Sequence, residues 1–185
     1  FVMAHDKFKD RFDCSQIAGT RERRRIVADK VLDAPDFFAR RAYRDTITVA
    51  RSNFDTHGFV VHPLFLLQAA AEEVHSAAVP LRALLPRKLE NIIVTGLAVG
   101  ARRDAMPLIR MQVDVQNQGY AAGLAAASAA KNGVSVRKID VPELQRKLVA
   151  IGILEKSALR KKDVPGRIPP SDTQGEIAKI FLAPR

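Results

Sequence analysis

The stretch that most restricts the fold of this chain is GYAAGLAAASAA, residues 119–130, in which ten of twelve residues are Gly, Ala or Ser. A helix of this composition has little apolar side-chain surface, so it must lie close to whatever it packs against. One helix face is nearly smooth, because small residues recur there at spacings of three and four: Gly119, Gly123, Ala126 and Ala130. Either tight packing beneath a sheet or the approach of a flat ligand would explain this face, and residue spacing does not decide between them.

Three other segments are rich in β-branched and apolar residues and predict strands: 23–32, 45–58 running into a turn, and Ile92–Thr95. The last of these ends at Gly96 and is followed by a crossover to the small-residue helix. Residues 79–86 are bracketed by two prolines, which predicts an extended segment.

Capping residues predict the helices. Asp33 and Asp140 are each followed closely by a proline, a pattern typical of a helix N-terminus. The small-residue helix is predicted to begin between Gln112 and Asn117 and to end at Asn132-Gly133, which suits a left-handed C-cap. Residues 66–77 fit either a helix or a variable insertion. The apolar stripe of the helix after Asp140 is predicted at Leu144, Leu148 and Ile151.

Composition excludes several classes of protein. The net charge is +10, but aromatic residues make up only 6% and there is no Trp, so a basic surface for solubility or an acidic partner is favoured over nucleic-acid binding. No apolar run approaches the roughly 18 residues of a membrane-spanning helix. The single Cys14 cannot form an internal disulfide, and no metal-ligand spacing occurs. A soluble protein is expected, either cytoplasmic or periplasmic.

Short motifs occur in a definite order along the chain. They include "RERRRIV" at 21–27, "DTH" at 55–57, "VPLR" at 79–82, the Ile109-Arg110 pair and "GYAAG" at 119–123. With Gly96 and the "DVPELQRKL" segment, this order resembles the C-terminal part of the FAD-dependent oxidoreductase family often labelled xanthan lyase-like. The resemblance covers roughly residues 19–155.

The resemblance implies an α/β (α+β) chain that forms the C-terminal part of a two-domain FAD-binding flavoprotein fold. Substrate-domain strands would come first, and the last strand–helix unit of the FAD domain would follow. The family's Gly-x-Gly-x-x-Gly loop does not occur here, so the missing N-terminal part of the same protein is the expected partner, and a homodimer is an alternative way to cover apolar surface. The implied division is an N-terminal remnant at 1–18, a substrate-domain-like region at 19–85, the FAD-domain part at 86–155 and a basic, proline-containing tail at 156–185.

The resemblance also implies the site residues, with FAD as cofactor. The start of the small-residue helix would point at the flavin ring where reduction places negative charge. Arg110 would bind phosphate or a flavin carbonyl, or else pair with Asp104 or Asp114. The implied cofactor-binding residues are Gly96, Leu97, Ala98, Ile109, Arg110, Gly119, Tyr120 and Ala121. On the substrate side, Arg82 would bind substrate, while Asp55 and His57 are the candidate acid/base pair, although a histidine in a turn is often structural.

Two functions remain open at the level of sequence. The first is hydride transfer between FAD and a small-molecule substrate, carried out once the missing N-terminal unit completes the protein. The second is a non-catalytic basic α/β module that binds a protein or an anionic polymer. Departures from the family pattern at Leu81, Leu97 and Tyr120, and at Arg102-Arg103, keep this second hypothesis in view.

Overall fold

The computed structural model describes residues 24–56, 60–62, 65 and 74–166. Within them, helices accompany a small two-stranded antiparallel sheet, which confirms the predicted mixture of α and β structure. In chain order the elements are helix α1 (Ala34–Phe38), strands β1 (Thr46–Ser52) and β2 (His75–Pro80), and helices α2 (Gln112–Asn132) and α3 (Val141–Ala150).

Strand β1 lies between β2 and the two long helices. It pairs with β2 from Thr48 opposite Val79 to Ser52 opposite His75, which confirms the strand predicted after Asp45. At the start of its other edge, Gln145 Nε2 of α3 donates to the carbonyl oxygens of Arg44 and Thr46, each at 2.9 Å. These two backbone acceptors are therefore satisfied inside the fold.

Helix α2 begins within the predicted window and ends as predicted. Gly133 adopts a left-handed φ of 61°, and its N–H bonds back to the carbonyls of Ala129 and Ala130. The helix buries a row of alanines, and since alanine is small its axis lies close to β1. This buried row consists of Ala121, Ala122, Ala125 and Ala129. The face predicted to be smooth is the opposite one, and all four of its small residues are exposed.

Both predicted helix caps are present. The Asp33 side chain accepts the N–H of Ala34 at 2.9 Å, and Asp140 accepts that of Glu143 at 2.9 Å. The predicted apolar stripe of α3 is wrong at its last member. Leu144 and Leu148 are buried, but Ile151 is the C-cap residue and is 49% exposed.

The strand predicted at 23–32 is wrong for its described part. Residues 24–32 make only isolated bridges, Ala28 with Pro86 and Leu32 with Ala101, because the segment crosses its neighbours at single points instead of running beside them. Gly100 permits one of these crossings. A Cβ there would stand 2.2 Å from the Cβ of Ala28, so no larger residue fits without moving the backbone.

The strand predicted at Ile92–Thr95 is also wrong, so the predicted strand–helix unit has its helix but not its strand. The segment is irregular and leads into a short 3-10 helix at Gly96–Ala98. No described strand lies beside it to accept a ladder, and β-branched residues alone do not form one. The extended segment predicted at 79–86 stops at Pro80, after which Leu81–Ala83 forms another 3-10 turn.

Residues 163–166, named here the C-terminal strap, pack back onto the fold. Val164 exchanges two backbone hydrogen bonds with Ala42, at 2.8 and 3.3 Å. Gly166 lies so near Ala39 that a Cβ would come within 2.4 Å of that residue's Cβ. The predicted remnant at 1–18 and most of the predicted tail lie outside the described residues. In the described part of the chain, no helix has the length and apolar character needed to cross a membrane.

Candidate functional site

Arg110 and Asp55 are brought together by the fold although 55 residues separate them. Arg110 directly precedes the segment that enters α2, and its side chain is only 10% exposed. Its Nη2 donates to the Asp55 carbonyl oxygen at 2.8 Å and lies 3.7 Å from the Asp55 carboxylate Oδ2. A predicted cofactor-binding residue thus contacts a predicted catalytic residue. Sequence had suggested Asp104 or Asp114 as partners of Arg110, because a contact over this separation leaves no local signal.

The 3-10 helix Arg103–Leu108 holds described residues on both sides of Asp55. Asp104, 1% exposed, accepts the backbone N–H groups of Val61 and His62 at 2.9 and 2.6 Å. Before Asp55, Ser52 Oγ donates to the Pro107 carbonyl at 2.7 Å. Sequence reasoning gave Asp104 only as an alternative partner of Arg110 and did not anticipate this role. His57, the other candidate acid/base residue, lies outside the described residues.

Gly96, Leu97 and Ala98 form the 3-10 turn beside the first turns of α2. Gly96 has a φ of 71°, which favours glycine, and a Cβ there would stand 3.7 Å from Val115 Cγ1. Leu97 packs against the core, and the Ala98 carbonyl accepts the Ile26 N–H at 2.9 Å. The turn therefore contacts the beginning of α2.

The N-terminus of α2 has no side-chain cap, since Met111 makes no capping hydrogen bond. Ile109 just before it is buried, and its carbonyl accepts Gln118 Nε2 at 3.0 Å. Burial raises the pKa of Asp114 in the first turn, although a hydrogen bond from the Arg51 backbone acts in the opposite direction. The first N–H groups of the helix and their partial positive charge thus receive no hydroxyl or amide cap from Met111.

The remaining predicted cofactor residues divide between two faces of α2. Gly119 is exposed, and a Cβ there would have no atom within 4 Å; the same holds for Gly123. Tyr120 beside them is 51% exposed. Ala121 is fully buried on the opposite face, beneath the helix. A ligand lying along the exposed face would therefore meet Gly119 and Tyr120, and Ala121 would support them from below.

Arg82, the predicted substrate-binding residue, lies between two carboxylates. Its Nη2 is 2.8 Å from Asp45 Oδ1 and 2.8 Å from Asp163 Oδ2, and its Nε donates to both Asp45 oxygens at 3.0 Å. The hydrogen bonds that Arg82 donates to Asp45 raise the pKa of Arg82 despite the opposing effect of burial, and those that it donates to Asp163 add to the rise. Through these contacts Arg82, in the turn after β2, links Asp45 at the start of β1 to Asp163 in the strap.

Comparison with known proteins gives one match. A family model described as FAD dependent oxidoreductase matches residues 2–148. No curated protein matches the chain, and no solved structure does. Among the described residues, no group of three or more His, Cys, Asp or Glu side chains is placed to hold a metal ion. The family match covers most of the chain, and on that basis the chain belongs to the FAD dependent oxidoreductase family.

Proposed function

We propose that this chain supplies part of the flavin site and part of the substrate site of an FAD-dependent oxidoreductase of the xanthan lyase-like subfamily. The reaction would be hydride transfer between FAD and a small-molecule substrate. The contact between Arg110 and Asp55 carries the proposal, with their 2.8 Å hydrogen bond joining the cofactor-side and substrate-side predictions. Hydride transfer requires the two reacting groups to be held in contact, so both sites must meet.

The residues at the start of α2 fit a flavin. The helix N-terminus lacks a side-chain cap, Arg110 offers a nearly buried cation, and the exposed face at Gly119 leaves room for a flat ring. When bound, FAD supplies the two-electron acceptor, and its reduction adds negative charge that a helix N-terminus and an arginine would stabilise.

On the substrate side, the protein would position a proton acceptor. The Asp55 side chain is 43% exposed, so its carboxylate remains accessible while Arg110 holds its backbone carbonyl. His57, the other candidate, is two residues further along the chain and lies outside the described residues. In this proposal Asp55 or His57 takes the substrate proton, and Arg110 orients the loop.

The partner in this proposal is a nucleotide-binding unit with a Gly-x-Gly-x-x-Gly loop, which an N-terminal part of the same protein would supply. No Gly-x-Gly occurs in the present sequence. The contacts made by this chain would then be with the flavin end of FAD and not with its adenine end.

Flavin fluorescence tests the proposal. We expect the chain to quench the fluorescence of FAD and of FMN, and to bind the two flavins with similar affinity. We expect that AMP does not compete with either flavin for binding. We expect Arg110→Met to weaken binding about tenfold, which matches the loss of one charged hydrogen bond. Arg102→Met is the matched control, because that side chain is 64% exposed and pairs with Asp33.

Two results would contradict the proposal: no flavin uptake by the chain, or equal weakening by the Arg110 and Arg102 substitutions. Circular dichroism of each variant separates lost binding from lost folding. Absence of flavin uptake would instead favour the non-catalytic binding module.

A further inference from the structure

A recess beside the C-terminal strap is lined by none of the residues assigned to the flavin. Its volume is about 280 Å³, and one wall belongs to the C-terminal strap, which lies beyond the family match at 2–148. The lining residues are Lys30, Arg41, Tyr43, Asp163, Val164 and Pro165. None of them is among the predicted flavin or substrate residues.

The walls of this recess are fixed by hydrogen bonds. Asp163 Oδ1 accepts the Arg44 backbone N–H at 3.0 Å, and both its oxygens accept Arg82 Nη2 at 3.0 and 2.8 Å. Val164 is bonded to the Ala42 backbone in both directions. A recess whose wall is fastened this way is formed before any ligand arrives.

The cationic side of the recess is only partly neutralised. Lys30 Nζ and Arg41 Nη1 lie 3.0 and 3.3 Å from the two oxygens of the same carboxylate, Asp36, which also accepts the Tyr43 hydroxyl at 3.1 Å. The charge of Asp163, on the other side, is already shared with Arg82. Over the whole region the cations and carboxylates are equal in number, but Lys30 and Arg41 share one carboxylate, whereas Arg82 has two.

Arg41 also has an unused donor. Its Nε is buried and has no hydrogen-bond partner in the part of the chain that the structure describes. A buried N–H without an acceptor is unfavourable, so the Arg41 guanidinium beside the recess is not fully satisfied by Asp36. Guanidinium and ammonium groups together suit an oxyanion, since both donate charge-assisted hydrogen bonds.

We propose that this recess binds a small oxyanion, a carboxylate or a phosphate group, through Lys30 and Arg41. The volume accommodates a group of that size and excludes a dinucleotide. The site does not depend on FAD, so the flavin proposal and this one can fail separately.

Calorimetric titration at constant ionic strength, with inorganic phosphate and acetate as separate probes, tests the site. We expect saturable binding of one ion per chain by at least one probe, and the preferred probe shows whether the natural ligand carries a phosphate or a carboxylate. Arg41→Met should weaken it about tenfold through loss of a charge-assisted donor. Val164→Phe should weaken it as well, by filling the recess without changing any charge. Lys138→Met, an exposed residue elsewhere, is the charge-matched control.

The proposal is overturned if neither probe saturates, or if Lys138→Met weakens binding as much as Arg41→Met, since the ion would then sense only the general positive charge. Because Val164→Phe leaves the contacts of Asp36 with Lys30, Arg41 and Tyr43 intact, it remains informative if Arg41→Met unfolds the protein. Full-strength binding by a folded Val164→Phe variant would place the ion outside the recess and equally overturn the proposal.

Discussion

At the scale of single residues, Gly119, Gly123 and Gly133 each have open space at the Cβ position but differ in backbone conformation. Gly119 and Gly123 are helical, whereas Gly133 has a φ of 61°. Since a helical glycine loses more backbone entropy than alanine, Gly119→Ala and Gly123→Ala should each raise the free energy of unfolding by about 0.5–1 kcal/mol. Gly133→Ala should lower it, because alanine disfavours positive φ. Urea denaturation measures all three.

The same two helical variants also test why the glycines are there. The protein's own packing does not require them, so we expect Gly119→Ala and Gly123→Ala to weaken flavin binding while they stabilise the chain. Stabilised variants with unchanged flavin affinity would show that the exposed face does not contact the cofactor.

Sequence predicted this residue-level pattern only in part. The spacing of Gly119 and Gly123 correctly indicated a shared smooth face, because helical periodicity is local information. The contact of Arg110 with Asp55 joins distant parts of the chain, and no local pattern encodes such a pair. The assigned roles of these residues in flavin binding and catalysis stay predictions.

At the scale of elements, the charged side chain of Asp163 attaches the strap to the rest of the fold. The stability of this attachment should therefore depend on pH. Burial alone would raise the pKa of Asp163, but hydrogen bonds from the Arg44 N–H and the Arg82 guanidinium outweigh it and lower the pKa below its usual 3.8. A carboxyl group with a lowered folded-state pKa stabilises the protein above its unfolded-state pKa, and this contribution is lost as the pH falls through the folded value.

We therefore expect the backbone amides of Ala42 and Val164 to lose hydrogen-exchange protection, relative to the rest of the protein, below about pH 4. Asp163→Asn should show the reduced protection already at neutral pH, with less change on acidification. An acid response that is the same in both proteins would mean that Asp163 does not fasten the strap.

The helices were more predictable than the strands, for a physical reason. Capping at Asp33 and Asp140 is decided within four residues, so the sequence displays it directly. A strand needs a neighbour, and the apolar run at Ile92–Thr95 has none beside it in the described part of the chain. The packing of the strap could not be predicted from the sequence either, because its hydrogen bonds to Ala42 and Arg82 join residues that are far apart in the chain.

At the scale of the whole molecule, Gln145 joins the sheet to α3. Gln145→Leu would leave the Arg44 and Thr46 carbonyls without this donor, and the buried Thr46 acceptor left unsatisfied costs about 1–3 kcal/mol. We expect a loss of this order in the free energy of unfolding, with one cooperative transition in urea. Arg146→Leu, on the exposed side of the same helix, should change little. Equal losses in the two variants would assign the effect to the helix and not to the edge of β1.

The strap lies beyond the residues that match the family, yet it packs against the fold. The family match ends at residue 148, inside α3. Beyond that residue, Leu154 is buried and Asp163 forms a salt bridge with Arg82. A polypeptide cut where the resemblance stops would expose core surface and release one carboxylate of that arginine. The end of the family match and the end of the packed structure therefore differ in this chain. The residues after 148 are part of the domain's own architecture, and any search for the minimal folding unit should extend at least to residue 166.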